Sequence, residues 1–144
     1  MSDERFVVGL VQINTGFSGL NYLPYSVAIL EDYARRYLKN PDEFQFTIPI
    51  YTRIPVAAAV AQLARADLVA FSVYVWNEQI SLAIAQALKA AKPDIINVFG
   101  GPQVLDRPEE IRQYLGKHRY VDLACHGEGE RVFLEVLENA RTRR

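Results

Sequence analysis

The feature that most constrains this chain is an alternation. Five short apolar segments, RFVVGLVQI, FQFTIPIY, DLVAFSVYVW, DIINVFG and YVDLACHG, take turns with five segments of helical spacing. The apolar segments are near-continuous and rich in β-branched or aromatic residues, as strands buried on both faces are. Between them, NEQISLAIAQALKAAKP places Ile80, Ala83, Ile84, Ala87 and Leu88 on one helical face. Asn77 stands at its N-cap, Glu78 suits the first turn, Lys89 and Lys92 suit the last, and Pro93 ends it. YLPYSVAILEDYARRYL and IPVAAAVAQLARA carry Pro24 and Pro55 near their starts, where a missing N–H costs little. DRPEEIRQYL has the D-x-x-E form of a capping box from Asp106 to Glu109. GERVFLEVLENARTRR offers Val132, Phe133, Val136 and Leu137 as its apolar stripe.

Strict alternation of this kind folds as a parallel sheet with helices on both faces and right-handed crossovers. With five strands the expected order is 2-1-3-4-5, a flavodoxin-like (Rossmann-like), doubly wound α/β sheet. No repeat, low-complexity run or linker interrupts it, and 144 residues suit one domain, 1–144, around one core. The net charge of −1 gives no concentrated basic surface, so nucleic acid is not an expected partner. The terminal ARTRR reads as a solvated helix end or a linker stump. No apolar run approaches the roughly 20 residues that span a bilayer, and MSDERF lacks the form of a signal peptide. The expectation is therefore a cytoplasmic protein with no membrane partner. Cys125 is the one cysteine, and His118 and His126 are the two histidines, which leaves no internal disulfide and no expected metal site of protein ligands.

The loops sort into two sets. Those entering the strands, LKNPDEF, LARAD, AAKPD and GKHRY, are ordinary charged turns. Those leaving them, NTGFSGLNY, YVWNE, GGPQ and HGEGE, hold six of the eight glycines. Ligands of doubly wound sheets sit beyond the carboxyl ends of the strands, at the switch between the first and third, so these loops line a candidate slot. A phospho-receiver site would need acids after the first strand and an aspartate ending the third. Gln12, Asn14, Val75 and Trp76 stand there instead. A dinucleotide site would need G-x-G-x-x-G and an acid ending the second strand, where Tyr51 and Thr52 stand. An FMN-binding electron carrier stays open, with Thr15 and Ser18 on the phosphate and Tyr74 and Trp76 flanking the ring. So does an interaction module whose slot takes no ligand.

Taken together, the loops resemble those of the cobalamin-binding domain. That family carries D-x-H-x-x-G after the first strand, S-x-L on the third and G-G after the fourth. Here Asn14 stands at the aspartate position, Gly16 at the histidine position and Gly19 at the glycine. Ser72-Val73-Tyr74 takes the place of S-x-L, and Gly100-Gly101 matches G-G. VFGGPQV and VDLACHGEGE closely resemble the N-terminal domains of cobalamin-dependent radical SAM enzymes, and the likeness spans nearly the whole chain.

The resemblance implies cobalamin bound base-off, with no protein histidine on cobalt and the benzimidazole tail buried beside the sheet. It implies cofactor-binding residues in every carboxyl-end loop. These are Asn14, Thr15, Gly16, Phe17 and Gly19; Ser72, Tyr74, Val75, Trp76 and Asn77; Gly100, Gly101, Pro102 and Gln103; and His126, Gly127, Glu128 and Gly129. Ser72 would hydrogen-bond a ring nitrogen of the tail. Trp76 is the candidate to cover the lower face of cobalt, since an indole N–H is a donor and not a ligand. Turn hydrogen bonding is the expected role of His126, in preference to cobalt ligation. Cys125 reads as a small buried hydrophobe and Glu130 as a first-turn acid. One cysteine cannot build the three-cysteine cluster of radical SAM chemistry, so no catalytic residue is assigned. S-adenosylmethionine and an iron–sulfur cluster would belong to a catalytic domain absent from this chain, acting in cis or in trans. The chain is expected to be the N-terminal part of such an enzyme, for instance a methyltransferase, or a free-standing module.

Overall fold

The computed structural model describes residues 4–143. Met1, Ser2 and Asp3 of MSDERF, and Arg144 of ARTRR, lie outside the described residues. In chain order the elements are β1 (Phe6–Val11), β2 (Gly16–Phe17), β3 (Leu20–Asn21), α1 (Tyr25–Tyr37), β4 (Phe44–Phe46) and α2 (Val56–Gln62). Then come β5 (Leu68–Ser72), α3 (Glu78–Ala91), β6 (Ile96–Gly100), α4 (Pro108–Lys117), β7 (Leu123–Ala124) and α5 (Glu130–Thr142). The main sheet is parallel, in the order β4-β1-β5-β6-β7. Counting its five strands in chain order, this is the expected 2-1-3-4-5 arrangement.

Every residue of β1 and β5 is buried, because helices cover both faces of the sheet. Side chains alternate along each strand. Val7 and Val11 of β1, Val69 and Phe71 of β5, and Phe99 of β6 face α2 and α3 through Ala59, Leu63, Ile84 and Leu88. Phe6, Val8 and Leu10, with Leu68, Ala70 and Val98, face α1 and α5 through Val27, Ala34, Phe133 and Leu137. Each fully buried large side chain of this kind contributes about 1.5–3 kcal/mol. Gly9 packs tightly against Leu63, at the C-cap of α2. A Cβ there would lie 2.6 Å from Leu63 Cδ2.

Four local readings are corrected. The second strand of the sheet is shorter than FQFTIPIY, because Pro49 has no N–H for the ladder; the chain rejoins β1 through a bridge between Val11 and Ile50. NTGFSG is not an open loop. Gly16–Phe17 pairs antiparallel with Leu20–Asn21 around Ser18 (φ 51°) and Gly19 (φ 76°), the two positive-φ positions of a two-residue hairpin turn. Asn77 occupies the N-cap of α3, but its side chain caps nothing and turns into the core. Asp106 forms no capping box either: α4 starts at Pro108 behind Arg107, with Glu109 and Glu110 in the first turn. Among the described residues, no helix is long and apolar enough to cross a membrane.

Candidate functional site

A cavity of about 280 Å³ opens at the carboxyl edge of the sheet, between α1, α5 and the ends of β5, β6 and β7. Its depth is apolar, from Ala70, Val98 and Phe133. Small residues keep it open along the sheet, with Ser72 ending β5 and Gly100 ending β6, followed by Gly101 and Pro102. The β7–α5 turn adds Cys125, Gly127, Glu128, Gly129 and Glu130. From α1 come Tyr25, Ser26, Ile29 and Leu30. Ser72 is 5% exposed, and its hydroxyl, which enters no hydrogen bond among the described residues, is part of the cavity wall.

The turn after β6 is locked onto the turn after β5. Val73 N donates to Gly100 O at 2.7 Å, and Gln103 N donates to Val73 O at 3.1 Å. Gly101 holds φ 100°, and a Cβ on it would come within 2.7 Å of Val73 O, so only glycine fits. Gln103 does not face the cavity. Its Nε2 donates to Glu78 at 2.8 Å, tying the same turn to the start of α3. Glu78 also lies near the Tyr114 hydroxyl, whose pKa is raised by burial first and by the Glu78 charge second.

Beside the cavity, the Tyr74 and Trp76 rings stack 4.5 Å apart at 13°. The Tyr74 hydroxyl shares a 2.8 Å hydrogen bond with Ser26 across the mouth. Trp76 is half exposed and Val75 largely so. Arg53 donates to the Trp76 carbonyl at 3.2 Å. Asn77, at 0% exposure, lies beneath this turn and away from the cavity.

The hairpin stands at the same carboxyl edge, outside the cavity lining. Asn14 closes its base, Nδ2 donating to the carbonyls of Tyr22 and Leu23 at 3.1 and 3.2 Å. Thr15, Gly16, Phe17 and Gly19 are exposed and line no part of the cavity. His126 sits with Asp106, Val104 and Leu105 in a neighbouring groove that shares Gly101, Pro102 and Gly127 with the cavity wall. His118 is remote from both, bonded through Nδ1 to the Tyr120 hydroxyl at 2.9 Å. Burial, then Lys117, hold its pKa below the ordinary value.

The structure thus gathers Ser72, Tyr74, Gly100, Gly101, Pro102, Gly127, Glu128 and Gly129 in one wall, and leaves Gln103, Val75, Trp76, Asn77, His126 and the hairpin residues outside it. Sequence reasoning missed Tyr25, Ser26, Ile29 and Leu30 as wall residues, along with Phe133 and Cys125. The topology held a signal for them, since α1 and α5 cover the same face of this strand order. Burial raises the Cys125 pKa, so its thiol faces the cavity protonated.

The B12 binding domain family matches residues 25–137. The cobalamin-dependent radical SAM methyltransferase TokK of Streptomyces tokunonensis is 36% identical over 124 residues, 84% of this chain and 18% of that protein. The 2-(S-pantetheinyl)-carbapenam-3-carboxylate methyltransferase of Streptantibioticus cattleyicolor is 35% identical over 124 residues, with the same shares. The chain spans less than a fifth of the length of either relative, 18% in each case.

Proposed function

The chain belongs to the B12-binding domain family, and on that footing we propose that it holds cobalamin base-off, without a histidine on cobalt, for a radical SAM methyltransferase domain acting in cis or in trans. The observation that carries this reading is the cavity between α1 and α5, with the Ser72 hydroxyl in its wall. The residues present fit the group. Ala70, Val98 and Phe133 give apolar walls for a flat base, the glycines at 100 and 129 leave its edge free, and Ser72 supplies a donor for a ring nitrogen. Bound cobalamin would supply a cobalt centre that takes up and passes on a methyl group, and the chain's own part is binding and orientation.

The histidine-free lower face has its own support. On the register that the resemblance implies, exposed Gly16 of the hairpin takes the place of the signature's histidine. His118 is engaged with Tyr120, and His126 opens on the neighbouring groove. The stacked Tyr74–Trp76 pair stands beside the cavity, and it offers no imidazole-like lone pair. Trp76 would exclude water from the lower face of cobalt. Asn14, Thr15, Phe17 and Gly19 of the hairpin would flank the corrin, with Pro102, His126 and Glu128 along the tail.

The test is to equilibrate the chain with hydroxocobalamin, desalt it and record the visible spectrum. Retained cobalamin with a base-off spectrum, reduced by Ser72→Ala, is the expected result. A base-on spectrum refutes the buried tail. Loss of all cobalamin alongside retention of FMN would favour the electron-carrier reading, and retention of neither would favour the ligand-free module.

A further inference from the structure

We propose that Asn77 is a positioning residue that fixes residues 73–76, and through them the stacked Tyr74–Trp76 pair, against the cofactor site. The pair's use rests on the cobalamin reading; its fixation does not. A buried amide is unfavourable unless its hydrogen bonds are made, and an N-cap gains nothing by turning inward. Asn77 turns inward completely and makes three side-chain bonds. Oδ1 accepts from Tyr74 N at 2.8 Å, while Nδ2 donates to Ile13 O at 2.9 Å and to Ser72 O at 3.0 Å. Both donors of the amide are consumed. The reverse orientation would set Oδ1 against two carbonyls and an N–H against an N–H, so the network admits one pose.

The partners explain what the pose is for. Ile13 follows β1 and leads directly into the hairpin; Ser72 ends β5 in the cavity wall; Tyr74 begins the aromatic pair. One side chain therefore binds the two strand ends at the topological switch to the turn that carries the platform. Asn77 N also donates to Tyr74 O at 3.1 Å, closing the turn from within. Outside this brace, the turn is held by Val73, which donates to Gly100 O and accepts from Gln103 N, by the Ser26–Tyr74 bond and by Arg53 on the Trp76 carbonyl. Val75 is 74% exposed and Trp76 45%, so among the described residues little packs above them, and the brace lies beneath.

Trp76 is the one tryptophan of the chain, so its emission reports the platform with or without cobalamin. Asn77→Ala is compared with Ser81→Ala, a buried hydroxyl one helical turn further on that has no partner among the described residues. The expected result is a red-shifted emission and at least a twofold rise in acrylamide quenching for folded Asn77→Ala, with neither change in Ser81→Ala. Hydroxocobalamin affinity should fall at least tenfold in Asn77→Ala, or the spectrum of the retained cofactor should change. Asn77→Ala that loses stability while Trp76 emission, quenching and the cobalamin spectrum match the parent would overturn the proposal. If Asn77→Ala does not fold, Arg53→Met decides. It removes the exposed tether alone: a twofold or larger rise in Trp76 quenching would show that the platform is set from outside, and unchanged quenching supports the brace. If the parent chain retains no cobalamin, the cofactor reading fails while the fluorescence comparison still judges Asn77.

Discussion

Alanine at Gly101, set beside alanine at Gly127 and Gly100, tests how the cavity wall is built. At Gly101 two penalties combine. The φ of 100° strains any L side chain, at about 1–2 kcal/mol. The added Cβ would also lie 2.7 and 2.8 Å from Val73 O and N. Those atoms cannot swing aside, since Val73 N is bonded to Gly100 O and Val73 O to Gln103 N. Overpacking against fixed backbone adds about 1–3 kcal/mol. The sum is about 2–5 kcal/mol, a large part of the stability of a domain this size. Gly127 has φ 76° but open space around its Cβ position, so only the strain remains, about 1–2 kcal/mol. Gly100 lies outside the left-handed region and its Cβ would meet Cys125 O at an ordinary 3.7 Å. Alanine there should change stability by less than about 1 kcal/mol, helped by the lost freedom of the unfolded chain. Urea denaturation followed by far-ultraviolet circular dichroism should rank the losses as Gly101, then Gly127, then Gly100. Gly100→Ala should nonetheless weaken cobalamin retention, because Gly100 lines the cavity. A Gly101→Ala protein as stable as Gly100→Ala would refute the interlocked turns, and Gly100→Ala with unimpaired retention would remove the cavity from the binding reading.

Trp76→Ala should cost only about 1 kcal/mol, since the ring is half exposed and stacked on one neighbour, but should alter the bound cobalamin spectrum; an unchanged spectrum and affinity would sink its proposed place under cobalt. Because burial raises the Cys125 pKa, iodoacetamide at pH 8 should modify the folded chain more slowly than the urea-denatured chain, and more slowly still with cobalamin bound, as mass spectrometry would record. Burial and Lys117 lower the His118 pKa, so the unfolded chain binds that proton more tightly than the folded one. Its stabilising contribution is complete above the ordinary value near 6.5 and is lost as pH falls through the folded value, a slope that His118→Gln should flatten in denaturation midpoints between pH 7 and 5.

The sheet order was legible because the signals agree: continuous apolar runs for buried strands, periodic stripes for helices, and one topology that joins them. The wall was legible in part for a similar reason. Ser72 and the glycines at 100, 101, 127 and 129 are small residues at one edge of a known arrangement. What escaped depends on partners distant in sequence. Asn77 reads locally as an N-cap, and only the proximity of Ile13 O and Ser72 O turns it inward. NTGFSG reads as an open phosphate-type loop, whereas Ser18 accepts a left-handed conformation and lets two residues on either side pair. Tyr25, Ser26, Ile29 and Leu30 reach the cavity because α1 lies beside α5, which no local pattern of α1 announces.

The carboxyl edge is built in opposite senses below and above. Below, buried amides fasten it: Gln12 Oε1 accepts from Val27 N at 3.2 Å, tying the end of β1 to α1, and Asn77 ties the same region to β5 and α3. Buried polar groups satisfied in this way favour one arrangement of the backbone over its neighbours. Above, Phe17, Leu20, Leu23, Tyr25 and Val75 each leave more than 70% of their surface in water. Folding has left that apolar area uncovered at the carboxyl edge, where a wide ligand or an apposed domain would cover it. A rigid floor and an uncovered apolar edge are what a domain would need if it were to hold a large planar cofactor with one face turned outward.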